Sequence, residues 1–431
     1  MATTKNAIYK VHNGTDFDTI HFQTSAEQVI AKDGSNLETQ LAEKANQNNL
    51  LKIVDYINNI GSFNGGYSWW VYPNILKHNN KTYMTYVNNA GETIIASYDH
   101  EGAGKQSCVL QIDTVSDEHN TGAIAVMDDD KIIVAYAKHN KENIIRIKIS
   151  KYPNNIEYFE DAIELSTSGK VSYAQLFKMD NGIFRLYYRV DANSWAYRTS
   201  SDGITWSSEQ IFLNAPEQYY IRGVKRQHQV RFIAIGHPIL SNDHDFKYFY
   251  DTAGAFYTIG GQLTKPFTPN ELYTIKTPSL GNARLFDIST LDGDVTFAYA
   301  DFTDENNAVY KVATGSSTSG WDDKIICQGG LPLESPSGAN YYFGGMWFEW
   351  NSNKIVYVAR ENNGTWYIEK YQTDDFTSWE LVEEINTSDN EKLHRPVIPY
   401  NGGSLVYQKG DYQDYEHYNS KVISEDWFIS L

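Results

Sequence analysis

Residues 116–139 read S-D-E-H-N-T-G-A-I-A-V-M-D-D-D-K-I-I-V-A-Y-A-K-H. Ala123 to Met127 form an apolar run, Asp128, Asp129 and Asp130 an acidic turn, and Ile132 to Ala137 a second apolar run. The pattern predicts a β-hairpin, whose two ends lie together, so His119 and His139 are expected side by side at its open end. From Tyr67 onward the same sequence of strand, tight polar turn, strand, loop and further strands recurs seven times. The units begin near Ser68, His119, Tyr173, Tyr220, Asn282, Tyr341 and His394, at spacings of 51, 54, 47, 62, 59 and 53 residues. Repeats of this length with several strands each predict an all-β, seven-bladed β-propeller over residues 61–431.

Residues 1–60 follow a different pattern. Short apolar stretches on either side of Asn13-Gly14 predict two strands around a turn. The stretch that follows is helix-prone, with Leu37, Leu41 and Leu51 as seam positions, but Asn46, Asn48 and Asn49 break the heptad and argue against a long coiled coil. This segment is expected to be a small strand/helix neck for attachment or oligomerisation, with a plain linker as the alternative. In the repeats, Ser200 to Trp206 and Thr373 to Trp379 form shortened Asp-box-like turns, which are structural marks of outer strands.

Composition supports the β reading: 14% of residues are aromatic, with 32 tyrosines. The formal charge of −18, from 54 acidic and 36 basic residues, disfavours nucleic acid and anionic membranes as partners. No apolar run approaches the ~20 residues that span a bilayer, so membrane insertion is not expected. The first residues lack the apolar core of a secretory signal. Two cysteines, Cys108 and Cys327, make no disulfide framework. An acidic glycan could bind only where the site is locally basic. Residues 219–231 carry Arg222, Lys225, Arg226, His228 and Arg231 with no acidic residue. Lys225, Arg226 and His228 fall at the hairpin turn, which leaves Arg222 as the one placed to help a site.

The inner strand of a propeller blade starts at the face where its second strand ends, so each blade offers two positions to that face. In the second, third and fourth units these are His119 and His139, Tyr173 and Arg189, and Tyr220 and His237. Adjacent blades pack radially, so the six side chains are expected to converge on one groove. The set lacks the paired carboxylates of a glycosidase, a nucleophile elbow or Gly-rich phosphate loop, and the short ligand spacing of a zinc site. No metal and no cofactor is expected. Tyr, His and Arg together suit β-elimination from a uronic acid: the cation neutralises the carboxylate, and Tyr and His move the protons.

The motifs D-E-H-N-T-G-A-I (117–124) with A-K-H (137–139), V-S-Y-A-Q-L (171–176) with L-Y-Y-R (186–189), and Y-Y-I-R (219–222) with G-H-P (236–238) resemble the BNR-repeat proteins that include the seven-bladed ulvan lyases. W-W-V-Y-P-N, A-S-Y-D-H, F-G-G-M-W-F and H-R-P-V extend the resemblance over about residues 65–405. It implies a polysaccharide lyase in which His119 and His139 contact substrate or act as acid/base groups, Tyr173 is the acid/base tyrosine and Arg189 neutralises the carboxylate. Asn120, Tyr220, Arg222 and His237 are then substrate-binding. The family commonly has Asp-Asp-His-Asn where Glu118 precedes His119 here, and Pro-Asn where Ala174 and Gln175 follow Tyr173. The first 45 residues resemble the N-terminal segment of tail fibres from phages of Gram-positive hosts, through Y-K-V-H-N-G-T-D-F-D-T-I-H-F-Q-T. That resemblance implies a virion tail location, contact with tail or baseplate proteins, and a homotrimer. The expected function is a phage tail-associated depolymerase cleaving an acidic surface polysaccharide. The alternatives are a non-catalytic receptor-binding protein and a sialidase-like hydrolase, which needs an arginine cluster (Arg189, Arg284, Arg360, Arg395) and a Tyr-Glu pair whose acidic member does not stand out.

Overall fold

Seven antiparallel sheets follow one another along the chain in the computed structural model, which describes residues 6–12, 17–23, 62–101, 104–238, 241–290, 295–333, 341–386 and 391–424. They form an all-β seven-bladed propeller. Blade one runs from Ile75–His78 through Lys81–Val87 and Glu92–Asp99 to Lys105–Ile112. Blades three, five and six repeat this meander from inner strands Val171–Lys178, Asn282–Ser289 and Gly345–Phe348. Blade two begins at Ala123–Val126, and its third strand, Ile144–Tyr152, carries both Asn155–Phe159 and Ile163–Ser166 on its outer side. Blade four begins at Tyr219–Arg226 and has a similarly divided outer edge.

Blade seven closes the ring. Its inner three strands are Leu393–Val397, Val406–Tyr412 and Tyr418–Ser424, but its fourth is Ser62–Asn64, from the opposite end of the propeller sequence. The repeat pattern, which starts at Tyr67, does not include this strand, because three residues are too few to show alternation. Asn6–His12 and Phe17–Gln23 pair antiparallel, and the expected helix-prone neck lies outside the described residues.

Burial follows position within the blade. Ile132–Tyr136 and Phe184–Val190 are buried at every residue, because neighbouring blades cover both faces of a second strand. The outer strand Glu380–Asn386 is exposed at all but one position. The predicted hairpin turns hold left-handed residues at Asn79, Asn80, Asp130, Gly182, Gln227, Asn351 and Asn401, while the turn at Leu291 to Gly293 lies outside the described residues. The two Asp-box-like turns fold on Asp202, which accepts from the amides of Ile204 and Thr205, and on Asp375, which accepts from Thr377.

The axis of the ring is filled by residues 67–74, just before blade one. Tyr67 donates its hydroxyl to the Arg395 carbonyl in blade seven. Trp69 packs on Phe286 of blade five, and Trp70 stacks on Tyr220 of blade four with centroids 4.5 Å apart. The Tyr72 amide donates to Ala174 O of blade three, and Pro73 O accepts from Ile124 of blade two. Tyr72 also touches Trp347 of blade six and Tyr400 of blade seven. Arg222 belongs to this plug. Its guanidinium lies 3.6 Å from the Tyr72 ring centroid, donates to Trp69 O at 3.1 Å, and pairs with buried Asp287 at 3.1 Å.

The basic segment 219–231 is therefore used within the fold. Besides Arg222, Lys225 pairs with Asp180 of blade three, and Arg226 donates to Thr290 O of blade five. Lys178 pairs in the same way with Asp128 of blade two. We expect Asp287→Ala to cost about 3–5 kcal/mol in denaturant unfolding, because it strands a buried cation. Replacing Arg222 as well, by Met, should recover much of that loss.

Candidate active site

On the face where inner strands begin, the blades surround a cavity of about 180 Å³ floored by Trp69 and Trp70. His119, His139, Tyr173, Tyr220 and His237 all line it. The open end of the second blade's hairpin brings His119 and His139 together as predicted, with ring centroids 4.5 Å apart. Both rings flank Tyr173, at 5.4 and 5.3 Å. Tyr220 lies 5.7 Å from Tyr173 and 5.7 Å from His237.

Three expected site residues do not line the cavity. Arg222 is held in the axial plug, as described above. Asn120 is fully buried; its side chain accepts the His139 amide at 2.6 Å and donates to Asp113 at 3.2 Å, so it fixes the histidine loop. Arg189 is also buried, with its guanidinium carbon 4.4 Å from the Tyr173 centroid and 5.4 Å from that of Tyr220.

Asp117 organises the histidines. One of its carboxylate oxygens meets His119 Nδ1 at 3.0 Å, the other meets His139 Nδ1 at 2.9 Å, and the first also accepts the His119 amide. An ionised Asp117 only accepts, so each Nδ1 carries the hydrogen that meets it. Burial alone raises the Asp117 carboxyl, but its bonds to the two histidines outweigh that and hold it below the ordinary range. Burial and the neighbouring His139 lower His119 to about 4, and burial with Arg284 and Arg189 lowers His237 to about 3. Both are neutral at pH 7. Burial pushes Tyr173 well above the ordinary tyrosine value, Tyr220 adds to this, and Arg189 opposes it. Asp117, His119 and His139 are also the one group among the described residues whose ligand atoms gather within 4.8 Å, as a metal site requires.

Tyr173 reaches the cavity through a bulge. Ser172 pairs with Arg189 and Gln175 with Tyr187, which leaves one extra residue on the inner strand, and Tyr173 adopts a left-handed φ of 57°. Arg395 does the same in blade seven, between the pairs His394↔Gln408 and Val397↔Val406, with φ 51°. Such a conformation is costly for a large non-glycine residue and concentrates at functional positions.

The remaining wall comes from residues that were not assigned to this groove. Arg284, Tyr342 and Arg395 line it from blades five, six and seven, with Tyr415, Glu118 and Gln218. The three sit one or two positions after the unit starts at Asn282, Tyr341 and His394. The offset that finds His119, Tyr173 and Tyr220, carried round the whole ring, comes to Asn282, Tyr341 and His394, and so falls one or two residues short of these three. The site's positive charge thus comes from arginines of separate blades. An acidic partner for a tyrosine also exists: Glu118 accepts from Tyr412 at 2.9 Å and pairs with Arg395. Tyr412 is fully buried, does not line the cavity, and also takes a hydrogen bond from Arg395 at 2.6 Å. Arg360 is bound to Glu369 at 2.7 Å, within blade six.

The profile of BNR repeat-containing family members matches residues 81–374, more than half of the chain. An ulvan lyase from Nonlabens ulvanivorans is 27% identical over 186 residues, covering 37% of this chain and 39% of that protein. The match thus spans well under half of that relative. Among solved structures, a PL25 ulvan lyase aligns with TM-score 0.68 and 16% identity over 85% of this chain and 94% of its own. A PL25 ulvan lyase bound to -[GlcA(1-4)Rha3S]- gives TM-score 0.66 and 16% identity over the same shares. Polysaccharide lyase Uly1 gives 0.53 and 14%, over 82% and 90%. At these identities the likeness is one of fold.

A histidine with a depressed folded-state pKa contributes stability that is complete above about pH 6.5 and is lost as pH falls toward the folded value. His237 follows this rule over the window from about 6.5 down to about 3. We expect His237→Gln to flatten the acid limb of unfolding free energy by about one proton, ~1.4 kcal/mol per pH unit, in denaturant melts between pH 4 and 7.

Proposed function

The chain belongs to the BNR repeat-containing family, and on that footing we propose that it is a polysaccharide lyase cleaving a uronate-containing polysaccharide by β-elimination. The observation that carries this reading is a cavity-lining tyrosine flanked by two histidines on one carboxylate, in a cavity that two arginines, Arg284 and Arg395, also line. The similarity to an ulvan lyase, itself an enzyme of an acidic polysaccharide, supports the substrate class.

In the proposed reaction a cation meets the uronate carboxylate and stabilises the negative charge that develops on it when C5 loses its proton. His119, neutral and with its Nε2 lone pair free, takes the C5 proton. The C5–H electron pair becomes the C4=C5 double bond as the C4–O4 bond breaks, and the Tyr173 hydroxyl, kept protonated by burial, gives its proton to the leaving O4. The proton on His119 then returns to the Tyr173 oxygen, which restores both groups, while His139 holds substrate hydroxyls. Asp117 holds both rings by their Nδ1 atoms. The cavity admits about one pyranose ring, so the rest of the polymer lies across the face outside it.

The sialidase-like alternative gains the Glu118–Tyr412 pair but loses its nucleophile, because Tyr412 is sealed behind Arg395. For the setting, the tail-fibre-like motif in residues 1–60 supports a virion-borne depolymerase acting on a host surface glycan as a homotrimer. Light scattering on the full chain should then give three times the 49.1 kDa chain mass, and a monomer would overturn that part.

Incubation with a panel of uronate-containing polysaccharides should release products with the ultraviolet absorbance of a C4=C5 double bond. Tyr173→Phe should lower turnover about 10²–10⁴-fold, the range for losing a general acid–base group, while leaving glycan binding in place. Binding without unsaturated product across the panel would reduce the site to a receptor-binding one.

A further inference from the structure

Resting on the lyase reading, we infer that the sugar next to the uronate is uncharged, and that Glu217 and Asp243 of blade four select it. The substrate class is then a polymer that alternates a uronic acid with a neutral, unsulfated sugar.

The first cavity holds about one ring, so the neighbouring sugar needs a place of its own. A second cavity, of about 230 Å³, opens beside the first. Pro216 and Glu217 lie just before the inner strand of blade four, and Asn242 and Asp243 lie beyond the end of its second strand, Gln229–Gly236. That is the end at which the first cavity stands. Gln218 and Tyr220 line the first cavity, whereas Glu217 and Tyr219 line the second, because successive residues of a strand point to opposite sides. The two cavities therefore share one wall, closed by the His237 amide, which donates to Gln218 O at 2.9 Å. That wall is one strand thick, ~5 Å, so two consecutive sugars can straddle it.

The second cavity suits hydroxyls and repels anions. Pro216 and Pro269 give it apolar walls, and Asn242 supplies an amide. Glu217 accepts the Asn242 backbone amide at 2.6 Å and its side-chain nitrogen at 3.0 Å, and Asp243 accepts the Tyr219 hydroxyl at 2.9 Å. Each carboxylate keeps lone pairs for sugar hydroxyls, since an ionised carboxylate offers about four acceptor positions. The bond from the Asn242 amide holds Glu217 below its ordinary range, so it is ionised at pH 7. Lys247 stands 3.5 Å from Asp243 but also 3.4 Å from Asp245, so one ammonium answers two carboxylates. Burial lowers His244, which adds no positive charge at pH 7. Arg284 and Arg395 line the first cavity and not the second. A sulfate or a second carboxylate placed here meets like charge. The PL25 ulvan lyase bound to -[GlcA(1-4)Rha3S]- holds a sulfated sugar next to its uronate; the wall of this chain is set against that arrangement.

The test uses the full chain in a Tyr173→Phe background that prevents turnover. It is titrated calorimetrically with an oligosaccharide of the repeat -[GlcA(1-4)Rha3S]- and with its desulfated counterpart. The desulfated form should bind roughly tenfold more tightly, and the margin should shrink as salt rises, because exposed charges are screened. Glu217→Gln combined with Asp243→Asn should bring the two forms level by tightening the sulfated one. If melting curves show that this pair fails to fold, Glu217→Gln alone should narrow the margin. Equal or tighter binding of the sulfated form without these substitutions overturns the inference, while unsaturated product from either form upholds the lyase reading. A margin unchanged by the substitutions overturns the assignment to these carboxylates. Preference for the desulfated form, in a protein that retains Tyr173 and never yields unsaturated product, overturns the lyase reading and keeps the inference. Binding of neither form overturns the inference.

Discussion

The pairing of Arg222 with Asp287 inside the ring is the contact on which the rest depends. A propeller of seven blades leaves an axial channel, and here residues 67–74 fill it. Arg222 clamps that segment from below by holding Trp69 O and stacking under Tyr72, while Asp287 also accepts the Phe348 amide. Two opposite charges in so enclosed a place are tolerated because each is paired and hydrogen-bonded. With the channel closed, the upper face becomes a blind cavity with an aromatic floor. Without the plug there would be a water-filled hole and no means to desolvate a sugar.

Above that floor the site divides its chemistry between two sides. Blades two and three supply the histidines and the tyrosine, the two histidines oriented by one aspartate. Blades five and seven supply the arginines, with Tyr342 of blade six between them. In a chain with a net charge of −18 this separation matters, since an anionic ligand is repelled by most of the surface and attracted at one place only. The bulges at Tyr173 and Arg395 place one member of each side, at a local conformational cost that the surrounding sheets sustain.

Much of this is legible in the sequence where the physics is periodic. Hairpin turns and the length of the repeat point to the ring, and the hairpin rule brings His119 to His139 and Tyr220 to His237. Arg284, Tyr342 and Arg395 stand one or two residues beyond the equivalent positions, so the same rule carried to all blades comes close to them and still names their neighbours. Other features have no local signal. That Arg222 points to the axis, and Arg189 behind two tyrosine rings, depends on which face of a strand a neighbouring blade covers. The left-handed φ of Tyr173 could not be foreseen, because tyrosine is a poor residue for it and the backbone that bonds on either side of the bulge, at Tyr72, is remote in sequence. Asp117 lay unassigned beside a motif that drew attention to its histidine.

Ser62–Asn64 completes the seventh blade, the one that delivers Arg395 and Tyr415 to the cavity. During synthesis the first strand of the propeller must wait for the last before either is satisfied. Until they meet, the site lacks part of its wall. Whatever fills the cavity is bound by the closed ring alone, so its binding energy adds to the free energy of closure. A molecule in the cavity is thereby a seventh-blade fastener, and the ring holds its first and last strands together most firmly while occupied.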